Sequence, residues 1–410
     1  MLTAFHPANI LLSKPGTDMS KWSVVACDQF TGEPEYWART ERIVSGAPST
    51  LRLVLPEIYL GKPDTDDRIA EINANIESYL EAGVFTEYKN AMVYVRRVQS
   101  DGKLREGIVG AVDLEQYDYR SGSKSQIRAT EATVAERIPP RLKIRENAAV
   151  ELPHTMILID DPDRTVIEPL SEKASELRKL YDFELMQGGG SISGYLMGES
   201  EISAVDSALG ELSKKSELLF AMGDGNHSLA TAKEHYERLK RENPGVDLSN
   251  HPARYALCEI VNLHSPALEF EAIHRIVTGV DVGHLLTKMQ ETLGTSPGGD
   301  GQKLRVVTQG TEQSLTIHTP LSKLAVGSLQ TFLDDYLREN GGEIDYIHGT
   351  ETLKTLAQAP NAVGFILDPM DKADLFPAVI HDGALPRKTF SMGCGEDKRY
   401  YLEAREIRNS

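Results

Sequence analysis

The chain reads as an α/β (or α+β) protein, with mixed sheets, helices packed on them and two lobes. Three observations predict this. Short apolar runs rich in Val, Ile, Leu and Tyr alternate with amphipathic helical patterns along all 410 residues. That length exceeds the usual domain size of about 100–200 residues. Gly/Ser-rich pieces at 120–125, 187–194 and 294–302 punctuate the chain as loops. Only the last, "GTSPGGDGQ", is long and polar enough to nominate as a boundary. It separates a main unit over 1–293 from a smaller α/β lobe over 303–410, with one continuous domain as the alternative.

The elements follow in order. Strands are expected at 22–27, 51–55, 91–98, 107–112, 155–160, 253–263, 304–308 and 362–367, where β-branched and aromatic residues dominate. Over 66–83, Ile69, Ile72, Ile76 and Leu80 recur at spacings of three and four and so fall on one helical face, with Gly83 as the stop. Further helices are expected near 171–181, 202–213, 281–292, 324–338 and 349–358. The run "ELLFAM" (217–222) reads as a strand ending at Gly223. Beyond it, Leu229, Ala232, Tyr236 and Leu239 predict a helix from near Asn226.

Composition excludes several classes. Hydrophobic residues at 40% and charged ones at 26% leave no case for disorder. No apolar run approaches the roughly 18 residues a membrane span needs. The N-terminal stretch "MLTAFHPANILLSKPG" lacks a basic start and a long apolar middle, so a cytoplasmic location is expected. Cys27, Cys258 and Cys394 are odd in number and far apart, which points to free thiols. With 61 acids against 44 bases, the formal charge of −17 repels nucleic acids and acidic membranes. The expected partner is a small molecule, and a small anion can still bind where a few cations and N–H groups overcome the global field.

The candidate chemistry sits at "MGDGNHSLATAK" (222–233). A strand, a tight glycine turn and a helix leave backbone N–H groups directed at the turn, where the positive end of the helix dipole favours an anion. Gly223 and Gly225 are expected to supply the positive dihedral angles that gather those donors. A phosphate fits there. The plainer alternative is that Asp224 or Asn226 only caps the helix. Against it, His227 follows at once and would sit in the first turn beside any anion.

Asp28 directly follows a predicted strand, the position where α/β enzymes present side chains to a ligand; a turn-forming Asp is the alternative. Glu131, Arg137 and Arg141 lie on a charge-dense stretch whose default is a solvated helical face. His274 and Arg275 are flanked by Ile273 and Ile276, so the two cannot both be buried without partners. Lys388 lies in a Pro-containing loop from which a cation can reach an anion. No zinc spacing, phosphate loop or nucleophile elbow occurs, although Asp28, Asp224 and His227 could hold a divalent ion if brought together.

These pieces, in this order, resemble a family of bacterial and archaeal proteins known as domain-of-unknown-function family ten-fifteen. Its usual signature is Asp-Gly-His-His-Arg followed by a helix, which "MGDGNHSLATAK" approximates. "ACDQF" (26–30), "LRLVLPE" (51–57), "RATEATVAERIPPRL" (128–142), "FEAIHRIV" (270–277) and "ALPRKTF" (384–390) agree colinearly over nearly the full length. The resemblance implies that Glu131, Thr133 and Arg141 face the cleft. The turn is also similar to the phosphate-binding turn of the ParB and sulfiredoxin fold, which includes nucleotide-dependent kinases acting on free serine; that analogy implies phosphoryl chemistry. Asn226 stands where the family has its first His, and Ser228 where it has Arg, so the turn lacks its own cation.

The expected function is therefore kinase-like phosphoryl transfer to a small polar metabolite, with Mg and ATP or ADP as cofactors. Gly223, Gly225, Asn226 and Ser228 would form the phosphate-binding turn, and His227 would contact the phosphate. Asp224 would serve as general base or metal ligand, and Asp28 as a further catalytic carboxylate. Arg141, Arg275 and Lys388 would supply charge, with Glu131, Thr133, Arg137 and His274 as other cleft candidates. Two alternatives stand beside it: a metal-dependent hydrolase built on Asp28, Asp224, His227 and His274, and a non-catalytic protein that binds a small metabolite.

Overall fold

In the computed structural model, which describes residues 4–120, 122–133, 135–386 and 388–409, Val93, Tyr94 and Val95 are all buried yet feed two different cores. Ser121, Val134 and Arg387, which fall inside motifs quoted above, lie outside the described residues. Tyr94 packs with Ile108, Ile157, Met222 and Ile260 on one face of a ten-stranded sheet. Val93 and Val95 pack with Val109 and Leu257 on the other. Because both faces are covered, these strands read as continuous apolar runs and do not alternate with polar residues.

From one edge, the sheet runs Arg178–Glu184, Ser191–Leu196, Val93–Val98, Leu104–Asp113, Tyr255–Asn262, Met156–Ile159, Phe220–Asp224, Ile127–Arg128 and Tyr117–Asp118, with Phe5–His6 pairing onto Leu104–Asp113. Parallel and antiparallel pairs are mixed, as the expected α/β class allows. The helices Glu199–Lys215 and Asn226–Glu242 cover the first face through Val205, Leu209, Leu229 and Ala232. The helix Pro34–Val44 and residues 400–402 cover the second. In the helix Thr65–Glu81, Ile69, Ile72 and Ile76 join Trp22, Leu53 and Leu55 in a further cluster, as their spacing predicts.

The chain divides into two compact units. The first comprises 1–129, 133–268 and 393–410; the second comprises 130–132 and 269–392. The loop at 294–302, expected as the boundary, lies inside the second unit, where it joins the helix Val282–Leu293 to the strand Gln302–Thr308. That unit holds a five-stranded antiparallel sheet, ordered Thr311–Ile317, Gln302–Thr308, Ala362–Ile366, His274–Thr278 and Glu343–Ile347. Leu285, Leu329 and Leu333 from its helices pack on Val277, Val306 and Phe365.

Four local expectations change. Residues 22–27 form no strand and make a single bridge, Val25 to Tyr400. Hydroxyl groups take over the backbone there: Thr50 Oγ1 donates to Trp22 O at 2.8 Å and Ser23 Oγ to Tyr401 O at 2.8 Å. Residues 51–55 begin in a 3₁₀ turn, because Ser49 caps it by accepting from the Leu51 N–H. The predicted helix 171–181 ends at Lys173, and Arg178–Glu184 is a strand paired with Ser191–Leu196. The supposed loop 187–194 supplies that partner. Gly194 is required in it because a Cβ there would lie 2.1 Å from the Tyr181 ring.

Candidate functional site

Phe220, Ala221 and Met222 are buried and pair antiparallel with Met156–Ile159. The register skips Gly223 between Met222 and Asp224, so Gly223 is a bulge that re-aims Asp224 at the end of the strand. Gly225 alone takes the left-handed conformation, at φ 81° and ψ 29°; Gly223 does not have positive φ, contrary to expectation. A Cβ on Gly225 would lie 3.1 Å from Thr155, so both backbone angle and space demand glycine. The helix Asn226–Glu242 starts behind it without a side-chain cap. Asp224 Oδ1 instead accepts from the Gly225 N–H at 2.9 Å. Asp224 thus engages the N–H of the turn itself.

Around this junction, chain segments distant in sequence bring further groups. Lys398 Nζ stands 3.5 Å from Asp224 Oδ2, with side chains only 11% and 17% exposed. Oδ2 is buried and has no hydrogen-bond partner among the described residues. The pairing of Ala26 N–H with Arg399 O and of Tyr401 N–H with Val24 O delivers Asp28 and Lys398 to the same place. Asp28 Oδ2 is 3.8 Å from His154 Nε2, and Gln29 donates to Asp28 Oδ1 at 3.0 Å. Burial raises the Asp28 carboxyl, but His154, the Gln29 bond and Lys398 outweigh it and hold it below the ordinary carboxylate value.

His154 also faces Ser228 Oγ at 3.2 Å through Nε2 and the Tyr401 hydroxyl at 2.8 Å through Nδ1. The Tyr401 oxygen also accepts from the Cys27 N–H at 3.2 Å. The His154 ring thus links Tyr401, Ser228 and Asp28 in one polar chain. Cys27, also beside the site, is kept as thiol because burial pushes its pKa up.

His227 lies near Arg141, Arg137 and Asp28. Burial first, then the two guanidinium groups, lowers its pKa to about 4, against the opposing pull of Asp28. The ring is therefore neutral at physiological pH. Arg141 pairs with Glu57 and donates to Arg137 O at 2.9 Å. Below this polar cluster lies a cavity of about 160 Å³, bounded at one end by Cys27, His154, Ser228 and Tyr401.

The remaining expected residues belong to the second unit or to structure. Arg275 is fully buried, donates to Gln330 Oε1 at 3.2 Å and lies 5.2 Å over the Tyr346 ring. His274 Nδ1 accepts from the Leu367 N–H at 3.3 Å. Both satisfy the burial requirement with protein partners inside the second unit, Gln330 on the helix Ala325–Asn340 and Leu367 just past the strand Ala362–Ile366. Lys388 has φ 60°, and its N–H donates to Glu131 Oε1 at 3.0 Å, within that same unit. Thr133 Oγ1 is buried without a hydrogen-bond partner among the described residues. The four-residue metal set built on Asp28, Asp224, His227 and His274 is not assembled: no group of three or more His, Cys, Asp or Glu placed to hold an ion occurs among the described residues.

Sequence reasoning missed His154, Lys398 and Tyr401. Lys398 sits in the charged run "GEDKRYYLEAR", indistinguishable from a solvated segment. His154 carried one faint signal, a polar ring immediately before the wholly apolar strand Met156–Ile159.

Fold and site define a two-unit α/β protein with a cluster of ionisable groups at a strand–turn–helix junction above a cavity. The chain belongs to the family described as "Protein of unknown function (DUF1015)", whose model matches residues 11–407. No curated protein matches it. Among solved structures, it is similar to SbnI with C-terminal truncation from Staphylococcus aureus (10% identity, 70% of this chain and 82% of that one, TM-score 0.39). A free serine kinase in complex with AMP shows 10% identity, covering 73% of this chain and 90% of that one, with a TM-score of 0.38. A conserved hypothetical protein from Pyrococcus furiosus shows 10% identity over 73% and 94%, at 0.36. No helix among the described residues is long and apolar enough to cross a membrane.

Proposed function

We propose that this chain is a phosphoryl-transfer enzyme acting on the hydroxyl of a small metabolite, with the transferred phosphate seated at the N-terminus of the helix Asn226–Glu242. The observation that carries this reading is the buried Lys398–Asp224 pair at the Gly225 junction, with Asp224 Oδ2 lacking a hydrogen bond and Asp28 poised beside it. Phosphoryl transfer demands chiefly positioning and neutralisation of charge. The cation that Ser228 does not provide comes from Lys398, together with the positive end of the helix.

In the step itself, Asp28 accepts the proton of the substrate hydroxyl, the hydroxyl oxygen bonds to phosphorus, and the bond from phosphorus to the nucleotide's bridging oxygen breaks. A nucleotide shorter by one phosphate leaves. His154 Nε2, within reach of both Asp28 and Ser228, orients Asp28 toward the incoming hydroxyl, and neutral His227 can donate to phosphate without adding charge. Asp224 Oδ2, which meets Lys398 but accepts no hydrogen bond among the described residues, is the kind of hard oxygen ligand that would hold a magnesium ion. Such an ion, when bound, would neutralise part of the phosphate charge.

Magnesium with ATP or ADP should raise the melting temperature of the wild type, by mass action, and fail to do so for Asp224→Ala and Lys398→Met. No shift with any of ATP, ADP, CTP or GTP would overturn the reading.

A further inference from the structure

The cavity beneath Ser228 and His154 is not lined as a polar metabolite would require. Its wall comes from Leu53, Leu55, Ile72, Ile76, Ile144 and Ala232, contributed by the 3₁₀ turn region at 50–55 and the helices Thr65–Glu81, Ile138–Arg145 and Asn226–Glu242. Its charged groups are engaged with one another: Arg141 pairs with Glu57, and Arg145 donates to Glu151 at 2.6 Å. Thr231 Oγ1 is turned back onto His227 O at 2.7 Å. Cys27, His154, Ser228 and Tyr401 bring hydrogen-bonding side chains to the lining, and His154 Nε2 stands 3.8 Å from Asp28 Oδ2.

A wall of this kind does not repay the dehydration of a charged or many-hydroxyl body, because its polar groups would be buried without partners. It does favour hydrocarbon. The volume of about 160 Å³ admits a short aliphatic body. We infer that the acceptor is an amphiphile: a single hydroxyl held by the His154–Ser228 part of the lining, carried on a short aliphatic body that fills the cavity. This rests on the phosphoryl-transfer reading for the fate of the hydroxyl, whose proton passes to Asp28 as its oxygen bonds to phosphorus and the shortened nucleotide leaves. The pocket itself is independent of that fate.

The test is titration of the full chain with propanol, butanol, pentanol and 3-methylbutanol, followed by calorimetry or NMR. The dissociation constant should fall about fourfold with each added methylene until the cavity is full, at roughly 0.8 kcal/mol per buried CH₂. Ala232→Leu, which fills the cavity from the helix, should weaken 3-methylbutanol at least tenfold. Ala148→Leu, on the less buried side of the lining, serves if the first variant does not fold by circular dichroism. Affinity indifferent to chain length, or unchanged in a folded variant, overturns the inference. If nucleotides shift the melting temperature while the alcohols show no length dependence, this pocket assignment fails and phosphoryl transfer stands. If the alcohols bind with the expected series and no nucleotide binds, the pocket assignment is supported and phosphoryl transfer fails.

Discussion

Lys398 and Asp224 illustrate how little a residue's type says about its work. The pair is mostly buried, so neither charge is well hydrated, and each depends on the other. Lys398→Met should destabilise the chain by about 1–3 kcal/mol, because it strands a buried carboxylate. The double variant with Asp224→Asn should recover most of that loss in denaturant unfolding. A cost that is additive instead of recovered would show that the two do not act as a pair. His227 makes a pH prediction. The unfolded chain binds its proton at the ordinary 6.5, and the folded chain only near 4. Between those values the unfolded state holds more protons, so stability falls as pH is lowered through the window. His235, lowered to about 4 chiefly by burial, adds to the same slope. Melting temperatures between pH 7 and 4 should fall less steeply for His227→Gln than for the wild type.

The junction of the strand Phe220–Asp224 with the helix Asn226–Glu242 concentrates its demands on one glycine. Gly225→Ala must adopt the left-handed region and press on Thr155, costing about 1–2 kcal/mol from the backbone alone. Gly225→Asn should cost less, since Asn tolerates that region better. Equal unfolding midpoints for the two variants would mean that contact with Thr155, not the dihedral angle, dominates. The bulge at Gly223 is the second device: without the extra residue, Asp224 would point to the opposite side of the sheet.

The connectivity of the whole chain carries its own consequence. Residues 393–410 return to the first unit after 269–392 have built the second, and they bring Lys398, Tyr400 and Tyr401 into its core and site. A chain truncated after Met392 should therefore lose cooperative folding of the first unit. Phe270–Ala272 and Phe390–Met392 pair antiparallel, so the two ends of the second unit's main segment are neighbours. Replacing 269–392 by a short Gly/Ser linker should leave a first unit that unfolds cooperatively and keeps Lys398 beside Asp224. Loss of the cooperative transition in that shortened chain would refute the division.

The turn, its helix and most of the strands named from apolar runs were legible in the sequence because their causes are local: apolar periodicity, a glycine hinge and β-branched runs. The family, too, was legible from colinear motifs. Strands at 22–27 and 51–55 were misread because Ser23, Ser49 and Thr50 satisfy the backbone through their hydroxyls, a competition that periodicity cannot weigh. Asp28, Arg137, Arg141 and His227 were named from sequence, and the structure gathers them; Arg275 and His274 were named for the same reasons and are held within the other unit. Local sequence thus determined the hinge and its acid, while long-range pairing decided which cation meets that acid. Lys398 lies far along the chain from Asp224, and only the return of the C-terminal segment onto residues 24–26 closes that distance.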